Sequence, residues 1–118
     1  MKTYVYLLCV CLGAALAGCG GAGPPTHQLT ESNSAIRAAE EVGAANTPKA
    51  ALHLKMARDH LRNAEALISD EEYDDAALVL KRAEADADLA LALARETQAR
   101  AQAEQAIRRV QELKREME

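Results

Sequence analysis

The chain has 118 residues, a formal net charge of −4 at pH 7 and a charged fraction of 27%. Mild acidity argues against the polybasic surfaces with which proteins bind nucleic acid or anionic lipid headgroups. The only aromatic residues are three tyrosines, so the chain has little with which to line a ligand pocket. These values predict one small domain with a thin core, and they predict neither nucleic-acid binding nor a small-molecule substrate.

The first element is a short apolar segment that ends at a cysteine. A lysine precedes an apolar run of about 12 residues, residues 4–15, which is shorter than a spanning helix requires. Leu16, Ala17 and Gly18 then lead into Cys19. This order is typical of a secretory signal closed by a lipobox, so we expect removal of residues 1–18 and lipid on Cys19. The alternative is an ordinary signal peptide cleaved near Ala17.

Residues 19–25 are predicted to be the lipidated cysteine followed by a flexible Gly/Pro tether. Several acyl chains on Cys19 would hold the chain stably in a membrane. Gly20 stands at the second mature position, where an aspartate retains lipoproteins in the inner membrane of many Gram-negative bacteria. The expected location is therefore the periplasmic face of the outer membrane.

The remaining part, residues 26–118, is predicted to form an alanine-rich helical domain. We expect helices over residues 26–42, 48–69 and 71–117, with Gly43 as a left-handed cap and Thr47 and Pro48 starting the second helix. Either Ser69 or Asp70 would cap the third. The predicted fold is all-α, a three-helix antiparallel arrangement in which a short helix precedes a helical hairpin. The long C-terminal helix extends beyond the bundle.

Apolar residues at spacings of three and four predict the faces that pack together. In the second helix the predicted core comprises Leu54, Ala57, Leu61, Ala64 and Ile68, widened by Leu52, Met56 and Leu67. In the third it comprises Ala76, Leu80, Ala83, Ala87, Ala90 or Leu91, and Ala94. The second helix reaches only to about residue 95 of the third. Beyond it, the predicted face for self-association or a protein partner comprises Ala103, Ile107, Val110, Leu113 and Met117.

The residues with metal or catalytic chemistry form no recognisable site in the sequence. His53 and His60 are seven residues apart, whereas zinc sites on helices favour a spacing of four, so no metal is expected. The carboxylates within residues 70–75 lack the EF-hand spacing and its glycine, and they fit a solvated helix start. We find no nucleophile elbow, phosphate loop or Cys–His pair, and we expect neither enzymatic activity nor a cofactor.

Two segments of the helical part carry resemblances. The segment Glu72-Tyr73-Asp74-Asp75-Ala76 resembles the start of the second helix in a tetratricopeptide repeat, which implies a helical hairpin. Together with the lipobox, the tether and the Thr47-Pro48 restart, it resembles a family of alanine-rich bacterial lipoproteins classed as domain of unknown function 4398. The resemblance covers about residues 16–95. Some family members carry a peptidoglycan-binding OmpA-like domain after the helices, whereas this chain ends at Glu118.

The expected function is structural or as an adaptor, with the helical domain binding itself or another protein of the cell envelope. The alternative is a small periplasmic chaperone-like or peptide-binding module, which would need an apolar patch along the second and third helices. A third possible function is suggested by a resemblance to the murein lipoprotein, which is linked to the cell wall through a C-terminal lysine. The sequence given ends in Glu116-Met117-Glu118, so this third function is disfavoured.

Overall fold

The computed structural model describes residues 23–118, and in this part of the chain the regular structure is helical. Three α-helices follow in order: α1 (Thr26–Glu41), α2 (Pro48–Ser69) and α3 (Tyr73–Met117). A 3₁₀ turn, Ala44–Asn46, joins α1 to α2. The all-α prediction is confirmed, including the long C-terminal helix that extends beyond the other two. The predicted lipobox and Cys19 lie outside the described residues.

Side-chain contacts fix the direction of each helix. Near the beginning of α1, Ser32 contacts Leu80, and at its end Gln98 donates a hydrogen bond of 2.8 Å to the carbonyl of Val42. The helix α1 therefore runs parallel to α3. Between them in sequence, α2 runs back in the opposite direction and packs against both neighbours, so the bundle alternates up, down and up.

The break between α1 and α2 has the residues that the sequence predicts. Gly43 has φ of +76°, a left-handed conformation that costs glycine little, and Thr47 is extended, with φ −112° and ψ 116°. Pro48 is the first residue of α2, where its missing N–H is not needed. The first turn closes through the main chain, since the N–H of Ala51 donates to the carbonyl of Thr47 at 2.8 Å.

The turn between α2 and α3 differs from the expected one by two residues. The helix α2 ends in a Schellman-type motif, in which the N–H of Glu72 donates to the carbonyl of Leu67 at 2.9 Å. This motif places Glu71 in the left-handed region, with φ of 62°. The turn thus extends through Glu72, and α3 begins at Tyr73 rather than residue 71. Neither predicted cap, Ser69 or Asp70, is correct, because the N-cap position of α3 is Glu72. The Ser69 hydroxyl instead donates to the carbonyl of Glu65 within its own helix.

The core is thin because it is built mostly of alanine. In the described residues, Leu54 and Leu80 are the largest fully buried apolar side chains. The predicted face of α3 is confirmed, with Ala90 rather than Leu91 in the fully buried position. Around them the buried alanines are Ala39, Ala44, Ala50, Ala57, Ala64, Ala76, Ala83, Ala87, Ala90 and Ala94. Small side chains let the helix backbones approach closely, but each one removes little apolar area from water.

On α2 the core is narrower than predicted. Leu54, Ala57 and Ala64 are buried as expected, and Leu61 and Ile68 are half-buried. The prediction is wrong for Leu52 and Met56, which are 57% and 38% exposed. Each lies two residues from Leu54, about 200° around the helix, and therefore on the opposite face.

Candidate functional site

The candidate site is the part of α3 that α1 and α2 do not cover. Burial ends at Ala94, close to the predicted limit, and every residue from 95 to 118 is exposed. We call residues 95–117 the tail. It continues the helix for about 34 Å past the bundle. An uncovered helix of this length is marginal in water, so the tail lacks the packing that normally stabilises helices.

The predicted partner face lies on the tail and is open to solvent. Ala103 is exposed, and the exposed fractions of Ile107, Val110, Leu113 and Met117 are 57%, 52%, 53% and 80%. These residues recur every three or four positions, so the helix brings them to one side. The structure thus brings together all five residues that the sequence assigns to this face.

The apolar face of the tail does not continue the core face of the bundle. At about 100° per residue, the buried positions of α3 centre on the direction of Ala76, whereas the tail face centres roughly 150° away. The tail positions that align with the buried face are largely polar, as at Gln98, Gln105 and Arg108. A longer α2 would therefore cover these polar residues and leave the apolar ones exposed.

The same apolar face extends backwards along the bundle. We call the extended face the outer stripe. Its residues are all exposed, lie on the side of α3 away from α1 and α2, and recur at spacings of three, four or seven residues. They are Leu78, Ala85, Leu89, Ala92, Ala99, Ala103, Ala106, Val110, Leu113 and Met117. Arg82 and Glu96 interrupt it. The sequence analysis missed its first five members because the alternative core pattern in the neighbouring segment is more regular. Their heptad spacing was the available signal.

The first described residues and the tail lie at different ends of the bundle. Because α1 runs parallel to α3, Pro25 lies towards the end of the bundle where α3 begins. The tail extends from the other end. The distance along α3 from its start to Met117 is about 66 Å.

A cluster of three polar side chains joins α2 to α3. Asp86 lies between two imidazoles of α2, with Oδ1 3.0 Å from Nδ1 of His53 and Oδ2 3.4 Å from Nε2 of His60. The carboxylate fills the space between the two rings and links the helices by hydrogen bonding. Among residues 23–118, no group of three or more His, Cys, Asp or Glu side chains has the geometry to hold a metal ion. What the cluster shows is a polar contact between α2 and α3.

The contact between α1 and α3 includes a buried hydroxyl that the sequence analysis did not assign to the core. Ser32 is fully buried, and its Oγ lies 2.8 Å from the carbonyl of Gln28 and 2.9 Å from the carbonyl of Leu80. The single hydroxyl proton serves both acceptors. The spacing of Ser32, Ile36 and Ala39 by four and three residues was the signal for its position on the core face.

Ion pairs on the helix surfaces are local and exposed. The Lys55 ammonium, which donates a hydrogen bond of 2.9 Å to Asp59, lowers the pKa of that carboxyl, and Arg62 adds to the effect. On the tail, Arg100 pairs with Glu96 at 2.6 Å. Such pairs steady an exposed helix by a few tenths of a kcal/mol each and do not by themselves define a site.

The surface of the described part has an exposed apolar face and no enclosed chamber. The depressions lined by Thr47 and Arg100, and by Ile107 and Val110, are shallow grooves. Between residues 23 and 118, none of the helices combines the length and apolarity that a bilayer crossing requires. Fold and surface together define a small all-α domain with one long, partly uncovered helix.

Comparison with known proteins gives the family. The model of the family described as "Domain of unknown function (DUF4398)" matches residues 27–106, which is more than half of the chain. The chain belongs to this family. The match includes the three-helix bundle and the first part of the tail. No curated protein and no solved structure matches the chain.

Proposed function

We propose that this chain is a lipid-anchored lipoprotein of the bacterial cell envelope with a structural or adaptor role. Cys19 holds it at the periplasmic face of the outer membrane. The helical domain binds a second helical protein, either another copy or another envelope protein, through the outer stripe. The single observation that carries the binding role is the exposure of Val110, Leu113 and Met117 along one side of a helical segment that no other part of residues 23–118 covers.

The energetics of the tail support a protein partner. Covering a leucine or isoleucine side chain stabilises a protein by about 1.5–3 kcal/mol when burial is complete. The tail exposes four large apolar side chains on one side and thereby forgoes several kcal/mol of this stabilisation. A helix laid along the stripe would recover it and suppress fraying of the tail.

The positions of tether and tail suit an adaptor. A chain anchored through residues 19–25 is held at the end of the bundle where α3 begins. The tail then reaches away from the anchor by tens of ångströms, and its apolar face is available to a protein that does not itself contact the bilayer.

The anchor is tested by mass spectrometry of the natural product. We expect the mature N-terminus at Cys19 with a diacylglyceryl group on the thiol and acylation of the amine. In the Cys19→Ser variant, the chain should no longer sediment with membranes. An unmodified Cys19 thiol in the natural product would show that the anchor is wrong.

The binding face is tested with two variants that introduce the same carboxylate on opposite sides of the tail. Val110→Glu lies in the outer stripe, whereas Gln105→Glu lies on the opposite, polar side. In detergent extracts of the envelope, we expect the complex to shrink to the size of a single chain for Val110→Glu only. If both variants stay in a complex of the wild-type size, the outer stripe is not the binding face.

A chaperone-like or peptide-binding module is the second candidate. The exposure of Leu52 and Met56 on α2 favours it, because a client groove would need apolar residues on that helix as well. Leu52→Glu would then weaken binding of unfolded clients. An adaptor that uses the outer stripe alone would be unaffected by this variant.

A further inference from the structure

We propose that the protein bound along the outer stripe is a second copy of this chain, whose α3 runs antiparallel to the first. The register places Ala92 of one chain opposite Ala103 of the other. This inference rests on the proposed function and names the partner at the same surface. The argument uses the length of the stripe, the charges beside it and the sizes of the residues within it.

The outer stripe is long enough for a coiled coil. From Leu78 to Met117 it spans about five and a half heptads, whereas three to four are enough to indicate a coiled coil. The strip is about 58 Å long and about 10 Å wide, so pairing two of them would bury on the order of 1,200 Å². This value is at the lower limit for specific interfaces. The bundles lie on the far side of each α3 and leave the two stripes free to meet.

The charges beside the stripe favour the antiparallel direction. In this arrangement Asp88 lies beside Arg109 of the second copy, and Lys81 lies beside Glu116 of the second copy. Two-fold symmetry repeats both contacts, which gives four attractive pairs without a like-charge pair. All four side chains are exposed, and none forms an ion pair with another part of residues 23–118 of its own chain.

The parallel direction brings like charges together. Arg95 would lie beside Arg100 of the second copy, and Arg109 would lie beside Lys114 of the second copy, each twice. The one attractive contact would join Lys81 to a carboxylate already held by two histidines of its own chain. Like charges directly opposite each other at flanking positions disfavour a pairing, so the parallel dimer is selected against.

The charges also fix the register of the antiparallel pair. A shift of one heptad in one direction sets Asp88 beside Glu116 and Arg95 beside Arg109. A shift in the other direction sets Lys81 beside Arg109. Both neighbouring registers therefore replace attractive pairs with repulsive ones, whereas the proposed register has none.

Residue sizes within the stripe agree with this register. Leu89 lies opposite Ala106 of the second copy, and Val110 lies opposite Ala85 of the second copy. Leu78 lies opposite Met117, and the two charged residues that interrupt the stripe, Arg82 and Glu96, lie opposite Leu113 and Ala99 of the second copy. Near the symmetry axis Ala92 meets Ala103, where two small side chains let the helices approach closely.

Cysteine cross-linking tests direction and register together. The background is the full chain in detergent with Cys9→Ser, Cys11→Ser and Cys19→Ser, and into it Ala92→Cys or Ala103→Cys is introduced singly. Both alanines are exposed in the single chain, so neither variant disturbs the bundle. We expect disulfide-linked dimers under mild oxidation only when the two variants are mixed. A dimer formed by Ala92→Cys alone would mean a parallel pair and would overturn the proposal.

Charge reversal tests the pairs that set the register. We expect Arg109→Asp to raise the dissociation constant measured by sedimentation at least about fivefold, since two attractive contacts become repulsive. The double variant Asp88→Arg/Arg109→Asp should restore dimerisation to within about twofold. A double variant as weak as the single one would overturn the proposed register.

The outcomes separate this inference from the proposed function. If no cysteine mixture cross-links but Val110→Glu still dissociates the complex in envelope extracts, the partner is another protein and the second copy is refuted. If Val110→Glu changes nothing in those extracts, the outer stripe is not the binding face, and the adaptor role through it is refuted.

Discussion

The assignment of the core can be tested with two leucines that lie two residues apart on α2. Leu54 is 1% exposed and is one of two fully buried large apolar side chains in the described residues, whereas Leu52 is 57% exposed. Substituting alanine removes the same three carbon atoms from each. The two variants therefore share helix, chemistry and change in volume, and differ mainly in burial.

The expected effects differ by about 2 kcal/mol. Leu54→Ala loses transfer free energy of about 0.8 kcal/mol per carbon and leaves a cavity behind. Together these effects should destabilise the fold by about 3 kcal/mol, within the usual 2–5 kcal/mol. For Leu52→Ala, less than half of the side chain leaves water on folding, so the cost is about 1 kcal/mol or less. A domain of this size gains only about 5–15 kcal/mol on folding, so the first loss is a large share.

Thermal unfolding followed by far-UV circular dichroism measures the difference. At about 4–8 °C per kcal/mol, Leu54→Ala should lower Tm by about 12–24 °C and Leu52→Ala by less than about 8 °C. Both variants must be measured at one protein concentration, because self-association makes Tm depend on it. Equal decreases in Tm for the two variants would refute the assignment of the core.

Other predictions concern single polar or backbone features. Ser32→Ala should cost about 0.5–1.5 kcal/mol in urea unfolding through the loss of a buried hydrogen bond, whereas the exposed Ser34→Ala should be close to neutral. Gly43→Ala should destabilise by about 1 kcal/mol because the backbone is left-handed there, and Glu71→Gly should stabilise by a similar amount for the same reason, both read from urea midpoints. The pKa of Asp59, lowered by the hydrogen bond from the lysine four residues earlier, implies stabilisation that is present above its unfolded-state pKa. This stabilisation is lost as the pH falls through the folded-state pKa, so the stabilities of Asp59→Asn and wild type should converge in acid. An unchanged difference in stability at acid pH would contradict the pairing.

The helical organisation could be predicted because its determinants are local. Gly43 and the Thr47-Pro48 pair mark one break, and the absence of glycine and proline after residue 70 allows one long helix. The start of α3 was misplaced by two residues because Glu71 adopts a left-handed conformation that glycine usually takes. A Schellman-type end built on glutamate has no signal in composition.

The sequence predicted the part of the outer stripe that lies on the tail. It did not predict the part along the bundle, for a physical reason. Val110 and Leu113 stand out because polar residues surround them. Leu78 and Leu89 do not, because the same segment also carries the alanines that form the core, and single-sequence periodicity does not tell which of two opposite stripes faces the bundle. Packing against α2 decides that question.

The role of Ser32 was missed for a similar reason. Serine is polar and a weak helix former, so its residue type does not indicate a core position. In the folded chain, its small side chain lets α1 approach α3, and carbonyls from two different helices lie within hydrogen-bond distance of its hydroxyl. Only the tertiary contact explains a polar residue at that position.

The central claim is that a protein partner covers the outer stripe of α3 at the membrane. Hydrogen–deuterium exchange on native membranes, comparing wild type with Val110→Glu, tests it most directly. We expect amides in the tail to exchange slowly in wild type and rapidly in the variant, while peptides from α1 and α2 remain equally protected in both. Rapid exchange of the tail in wild type, equal to that in the variant, would contradict the claim.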